Sequence, residues 1–137
     1  VYGVHTQHGT INGVPYPVRS VCDGKHKYIL NLCHESEYSN AITGPANVNH
    51  DNAYWQEWLT ASKDNMQALF LVDRYVHRPK EELYDLERDP WELENRIDDL
   101  AVATERDALS QRLTQWMKQQ GDEGIETELR AQDRQKR

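Results

Sequence analysis

The sequence predicts an α+β fold, in which helices pack on one face of a small antiparallel sheet of about four strands. Three observations support this prediction. Short runs that mix β-branched, aromatic and charged residues come first, two segments with helical spacing follow, and an extended run precedes a last helical segment. This order of strands, helices, a returning strand and a closing helix is typical of the α+β class.

The first strands are predicted around a hairpin. Residues 1–6 read VYGVHT, and residues 18–32 alternate β-branched or aromatic residues with charged ones, as in a sheet with one wet face. Asp23-Gly24 is a two-residue hairpin signal that places Cys22 opposite Lys25. In that register Cys33 lies about 27 Å along the strand, so we expect no disulfide between the two cysteines.

Two consecutive helices are predicted after a polar loop that covers residues 33–52. The apolar residues fall on two separate helical stripes, and Lys63-Asp64-Asn65 supplies a cap and a break between them. The stripes consist of Trp55, Trp58, Leu59 and Ser62, and of Met66, Leu69, Phe70 and Val76.

An extended segment is predicted to return to the sheet after these helices. Pro79 ends the preceding helix, and Leu83 and Tyr84 lie on opposite faces of a strand. Asp89-Pro90 then opens a turn, because a proline at a first helical position loses no useful N–H.

A last helix is predicted from about Thr104 to Gly121. Gly121 provides the stop, and residues 122–137 are charged with few apolar side chains, so we expect them to be frayed or disordered. The predicted domain therefore covers residues 1–121. Its helical stripe consists of Leu109, Leu113, Trp116, Met117 and Gln120.

The composition of the chain limits the classes of partner that it can bind. The chain has 137 residues and a formal charge of -7, which disfavours nucleic acid and anionic membranes as partners. No run reaches the roughly 20 apolar residues that span a bilayer. The sequence starts in mid-strand without Met, which predicts that it is a piece of a longer protein.

Candidate binding residues lie where the first strand gives way to a loop. His5 and His8, in HTQHG, are spaced as metal ligands only on a helix, and this segment is not predicted to be helical. A substrate contact is the better interpretation, because strand ends that feed glycine-bearing loops commonly present polar groups to a cleft. Arg19 is either a solvated charge, the ion-pair partner of an acidic residue, or a guanidinium that binds a sulfate or carboxylate in a bidentate manner.

Other motifs favour structural roles. The acids of YDLERDP, Asp85, Glu87 and Asp89, lack the EF-hand spacing and suit turns and caps. The four tryptophans are expected to pack in the core, with a sugar-stacking platform as the alternative. The sequence contains no GxSxG, HExxH, phosphate-binding glycine loop or CxxC. We therefore assign no catalytic residue and no metal ligand within the chain.

Two stretches resemble a known enzyme family. ELYDLERDPWELEN, residues 82–95, closely resembles a segment near the C-terminus of type I, formylglycine-dependent sulfatases, in which an E-L-Y-D-L strand precedes a D-P-x-E-x-x-N turn. YPVRSVCDGKHKYILNL, residues 16–32, is similar to the strand pair that precedes it in that family. The resemblance covers most of residues 1 to about 120 and is greatest to the branch that includes heparan N-sulfatase.

The resemblance implies a C-terminal subdomain of the alkaline phosphatase superfamily, with a four-stranded antiparallel sheet and a packed helix. Its main partner would be the missing N-terminal catalytic domain, which carries a formylglycine made from C/S-x-P-x-R and a Ca²⁺ ion. Neither Cys22 nor Cys33 lies in such a motif. The implied location is periplasmic, secreted or lysosomal.

The implied function is hydrolysis of sulfate esters or N-sulfates, on a sulfated carbohydrate, by the full-length protein, with the fragment alone inactive. The loop that contains HTQHG approaches the substrate pocket in the family, so the resemblance makes His5 and His8 candidates for substrate binding, with Thr6 and Arg19 as weaker ones. Two alternatives stay open: a non-catalytic carbohydrate-binding or interaction module, and a phosphatase or phosphodiesterase of the same superfamily.

Overall fold

The computed structural model describes residues 1–6, 15–40, 43 and 53–135. Within these residues the chain forms a four-stranded antiparallel sheet and four α-helices, so the predicted α+β class is confirmed. The strands are β1 (Tyr2–His5), β2 (Val18–Cys22), β3 (His26–Asn31) and β4 (Glu81–Asp85). The helices are α1 (Ala53–Ala61), α2 (Met66–Val76), α3 (Ala103–Gln119) and α4 (Ile125–Gln135), and a 3₁₀ turn covers Leu100–Val102.

The described residues divide into two compact units, whereas the sequence predicted one domain over residues 1–121. The first unit holds the sheet, α3 and α4, and consists of Val1–Thr6, Pro17–Cys33 and Pro79–Arg137. The second holds α1 and α2 within His34–Arg78, together with the described part of Gln7–Tyr16. The two helices form their own unit because they lie in one long connection between β3 and β4 and pack on each other.

The sheet has the strand order β1-β2-β3-β4, and every neighbouring pair is antiparallel. Val21 lies opposite both Tyr2 and Tyr28, and Tyr28 lies opposite Leu83. Side chains at opposed positions share one face of a sheet, so these four residues form a continuous apolar row across all the strands. This row is the sheet's contribution to the core.

Helix α3 covers that row with residues of the predicted helical stripe. Leu109, Leu113 and Met117 recur at helical spacing and are buried against Val21, Tyr28 and Leu83. Burial of one such side chain contributes about 1.5–3 kcal/mol before entropy is subtracted. The helix begins at Ala103 and ends at Gln119, and Gly121 beyond it has the left-handed φ of 68° typical of a helix stop.

The predicted β2–β3 hairpin is present, but its turn lies one residue later than predicted. Cys22 pairs with Lys27, not Lys25, and the N–H of Asp23 bonds to the carbonyl of His26. The carboxylate of Asp23 accepts the N–H groups of Lys25 and His26 at 2.9 and 2.7 Å, which fixes Asp23 at the strand end. Gly24, with φ 107°, is then the first central residue of the turn.

The ELYDLERDPWELEN motif builds the outer edge of the sheet. Asp85 accepts the N–H groups of Glu87 and Arg88, and the Asp89 carboxylate accepts the N–H of Glu94 at 2.7 Å. The chain therefore turns back and brings Asn95 alongside β4. There the Asn95 amide accepts the N–H of Leu83 at 2.9 Å and donates to the carbonyl of Glu81 at 3.3 Å. The motif is thus architectural: its side chains satisfy backbone groups of an edge strand.

The end of the chain differs from the sequence-based expectation of a frayed or disordered tail over residues 122–137. Helix α4 forms within that range, and Glu128, near its start, is buried. The low apolar content hid this helix because its anchor is an ion pair with Arg19 instead of an apolar stripe.

Helix α2 begins at the predicted cap. The Asn65 side chain accepts the N–H groups of Gln67 and Ala68, at 2.9 and 3.0 Å, as the KDN signal predicted. The predicted stripe of α2 is nevertheless largely exposed: Met66 retains 79% of its accessible surface and Phe70 retains 54%. Ala68 and Leu71, together with residues of α1, instead line the groove between the helices.

Candidate functional site

The predicted substrate-binding residues of the first strand lie at its end. His5 is the last residue of β1, it pairs with Val18, and both His5 and Thr6 are exposed. His8 lies outside the described residues. The structure therefore presents His5 and Thr6 at a surface that a ligand can reach, at the end of strand β1.

Arg19 lies beside His5 but in a different environment. It belongs to β2, it is opposite Val4, and only 1% of its surface is exposed. Because neighbouring residues of a strand alternate between faces, the side chain of Arg19 is on the opposite face of the sheet from that of His5. The two predicted binding side chains do not converge. What joins them is a bond from Arg19 Nη1 to the backbone carbonyl of His5, at 3.3 Å.

The guanidinium of Arg19 is held by two carboxylates from the end of the chain. Nε and Nη2 donate to the two oxygens of Asp122, at 2.5 and 3.3 Å, and Nη2 also donates to Glu128 Oε1 at 2.6 Å. Nη1 donates to the carbonyls of His5 and Val18. A guanidinium has five N–H donors, and these bonds occupy all of them. We refer to Arg19, Asp122 and Glu128 as the arginine cluster.

Electrostatics in this cluster favour the charged forms. Burial alone would lower the pKa of Arg19, but hydrogen bonds and attraction from Asp122 and Glu128 outweigh it and raise the pKa. Burial alone would likewise raise the pKa of Asp122, yet the bonds from Arg19 and from the N–H of Gly124 bring it below its usual value. The arrangement is a buried ion pair of the bidentate kind that suits arginine.

The arginine cluster separates the alternatives that the sequence left open for Arg19. It is the partner of acids, not a solvated charge. A direct contact with a substrate sulfate stays a prediction, and it would require a donor to leave Asp122, Glu128 or a carbonyl. The role that the geometry supports is to tie the end of β1 and the start of α4 to the sheet.

Sequence reasoning missed Asp122 and Glu128. Both lie in a segment whose composition resembles that of disordered tails. A signal was present, because Gly121 and Gly124 are typical of helix ends and acidic residues Glu126 and Glu128 occupy the first turn of α4. The pairing of these acids with an arginine more than a hundred positions earlier could not be predicted from local pattern.

A second buried polar group lies on the face of the sheet opposite α3. Asn31 Nδ2 donates to Glu82 Oε1 at 2.6 Å and to the carbonyl of Pro79 at 2.7 Å, and the hydroxyl of Tyr84 donates to Glu82 Oε2. Asn31, Glu82 and Tyr84 are all buried. Since both oxygens of Glu82 accept hydrogen bonds, this carboxylate has a structural role in joining β3 to β4.

The tryptophans only partly follow the predicted core packing. Trp116 stacks on Tyr2 with ring centroids 4.6 Å apart, and Trp55 contacts Tyr75 at 5.1 Å. Trp58 and Trp91 are exposed, at 45% and 80% of their surface, so core packing is wrong for these two. Trp91 lies in the exposed turn after Pro90, and Trp58 lies on α1 where it borders a groove.

Among the described residues, no group of three or more His, Cys, Asp or Glu side chains could hold a metal ion. Cys22 and Cys33 are free thiols, and burial together with the charge of Glu128 raises the pKa of Cys33. In the part of the chain that the structure describes, no helix is long and apolar enough to cross a membrane.

Comparison with known proteins finds a similarity to a sulfatase. The chain is 31% identical over 122 residues to an ulvan-active sulfatase of Formosa agariphila. The match covers 89% of this chain but 21% of that protein, so the chain spans about a fifth of its relative's length. No protein-family model matches. The chain is thus related in sequence to a sulfatase, which agrees at a coarse level with the motif resemblance.

Proposed function

We propose that the chain is the C-terminal subdomain of a sulfatase that hydrolyses sulfate esters or N-sulfates of carbohydrates. The observation that carries the proposal is the similarity to a sulfatase along 89% of the chain. The four-stranded antiparallel sheet covered by a helix is consistent with the subdomain that the motifs imply.

In this proposal the chain supports the catalytic domain and adds to the rim of its substrate pocket. His5 and Thr6 are exposed at the end of β1, and with His8 they would hydrogen-bond the sugar or its sulfate. Arg19 would act indirectly, because its bond to the His5 carbonyl fixes the end of strand β1. The partners are the catalytic domain and a sulfated carbohydrate.

The formylglycine and Ca²⁺ of such an enzyme do not fit the residues of this chain. Neither thiol lies in a C/S-x-P-x-R motif, and the described residues contain no cluster suited to a metal. We therefore place the nucleophile and the metal in the catalytic domain and derive no chemical step from this chain.

Two substrate classes follow from different observations. The motif resemblance is greatest to the heparan N-sulfatase branch, which favours an N-sulfated sugar. The name of the similar protein from Formosa agariphila favours ulvan. We infer a carbohydrate sulfate in both cases. The assay described next distinguishes a sulfate ester from an N-sulfate as the bond that is hydrolysed.

The test compares this 137-residue chain with the full-length protein that contains it. Free sulfate is measured after incubation with ulvan, with N-sulfated heparan and with paired aryl sulfate and aryl phosphate. We expect release by the full-length protein and none by the chain alone. Sulfate release by the chain alone contradicts the proposal, and preferential hydrolysis of the phosphate by the full-length protein favours the phosphatase alternative.

A substitution tests the rim. His5→Ala in the full-length protein should raise KM for the carbohydrate by about tenfold, equivalent to the loss of one hydrogen bond of about 1.4 kcal/mol. Val4→Ala is the matched control, because Val4 is the exposed neighbour of His5 in the same strand. Equal KM values for His5→Ala and the unaltered protein would remove His5 from the rim.

A further inference from the structure

The groove between α1 and α2 combines features of a ligand site. It is a shallow groove, open to solvent, with a volume of about 430 Å³. Ala61 and Ala68 line it with methyl groups only, which leaves room between the helices. An exposed indole, that of Trp58, borders it.

Polar side chains complete the lining. Glu57 and Gln67 are exposed and offer a carboxylate and an amide. Asn65 uses its Oδ1 to cap α2, which leaves its Nδ2 as a donor at the groove. The groove thus offers an aromatic surface beside several hydrogen-bond donors and acceptors.

We propose that this groove binds an uncharged, hydroxyl-rich saccharide, with Trp58 as the stacking platform and Glu57, Asn65 and Gln67 as partners of the hydroxyl groups. A sugar ring has apolar C–H faces and a polar rim, which matches an indole bordered by carboxylate and amide groups. The site lies on a different structural unit from His5 and Arg19.

The charge and the polar groups of the groove disfavour three other classes of ligand. The described residues of the lining include no Lys or Arg, and the carboxylate of Glu57 repels anions, so a sulfated segment is disfavoured. A quaternary ammonium ligand would be favoured by a cage of several aromatic rings, whereas Trp58 is the one aromatic residue among the described residues that line the groove. An apolar helix of a partner would bury Glu57 and Gln67 without partners, at a cost in free energy.

The inference does not rest on the sulfatase proposal, because binding is measured on this chain without any sulfate release. The probes are unsulfated hexasaccharides of glucose, xylose, galactose and N-acetylglucosamine, with a sulfated counterpart of the galactose hexamer. Titration calorimetry with the 137-residue chain should show binding of at least one unsulfated probe. The sulfated counterpart should bind more weakly, and added salt should leave the affinity for unsulfated probes unchanged.

Variants locate the site. Trp58→Ala should weaken binding by about tenfold or more, since tenfold corresponds to the loss of one stacking contact of about 1.4 kcal/mol. Ala61→Leu should also abolish binding, because leucine fills the groove while preserving the helix. Trp91→Ala is the matched control, because Trp91 is more exposed than Trp58 and lies outside the groove. Circular dichroism verifies that each variant is folded.

Three results of these binding experiments would contradict the proposal. Lack of binding by all unsulfated probes overturns the proposal, as does binding that survives both Trp58→Ala and Ala61→Leu. Tighter binding of the sulfated counterpart, or of tetramethylammonium, would show that the ligand is charged and would overturn the assigned class.

Discussion

At the scale of single residues, the fully occupied guanidinium of Arg19 is the most informative feature. Its donors reach two strands, the segment before α4 and α4 itself. Removal of one partner from a buried ion pair leaves an uncompensated charge, which is far more costly than the loss of an exposed pair. We therefore expect removal of Arg19 to cost more stability than removal of an exposed charge.

Arg19→Met should reduce the free energy of unfolding by about 3–5 kcal/mol, because Asp122 and Glu128 would remain buried without a cation. Urea denaturation measures the change. Arg130→Met is the matched control: Arg130 pairs with Glu123 at 2.7 Å, but both side chains are more than half exposed. The control should lose less than about 1 kcal/mol. Equal effects of the two substitutions would contradict the importance of burial.

The depressed pKa of Asp122 predicts a dependence of stability on pH. A carboxylate whose pKa is lower in the folded than in the unfolded state contributes stability that is present above the unfolded value, about 3.9, and is lost as the pH falls through the folded value. Asp122→Asn should therefore reduce stability at pH 7, and the difference from the unaltered chain should shrink below about pH 4. Unfolding curves at a series of pH values measure it, and a difference that is constant with pH would refute the assignment.

At the scale of elements, the outer edge of β4 is bonded by the side chain of Asn95 and by the backbone N–H of Arg96, which donates to the Leu83 carbonyl. Asn95→Ala should remove the partners of Leu83 N–H and of the Glu81 carbonyl. We expect a loss of about 1–2 kcal/mol and selective loss of hydrogen-exchange protection at the Leu83 amide. NMR-detected exchange measures it. Glu94→Ala, next to Asn95 and exposed, is the control and should leave Leu83 protected.

Elements with periodic patterns could be predicted from the sequence, and elements held by distant charges could not. The spacing of Leu109, Leu113 and Met117 predicts α3 because the same residues form its buried face. The β2–β3 hairpin was predicted with a turn one residue too early, because the Asx bonds of Asp23 determine which residues occupy the turn. For the candidate site, the position of His5 at a strand end was predictable, whereas the burial of Arg19 depends on α4, which composition alone did not predict.

At the scale of the whole chain, the end of the sequence is part of the first unit. Truncation after Gly121 removes both acids of the arginine cluster and should destabilise the chain at least as much as Arg19→Met, by about 3 kcal/mol or more. Thermal unfolding monitored by circular dichroism measures the change. Truncation after Ala131 keeps Asp122 and Glu128 and is the control. If truncation after Gly121 changes the stability only slightly, residues 122–137 behave as the frayed tail that the sequence predicted.

The Asn95 amide also affects how copies of the chain meet. Beside β4 it occupies the positions that the peptide group of a fifth strand would take, at Leu83 and Glu81. An incoming strand from another molecule must first displace this amide, so polymerisation from the β4 side has a built-in barrier. Loss of Asn95 would leave the Leu83 N–H and the Glu81 carbonyl open to an incoming strand, while the N–H of Arg96 would still occupy the Leu83 carbonyl and keep that edge partly covered.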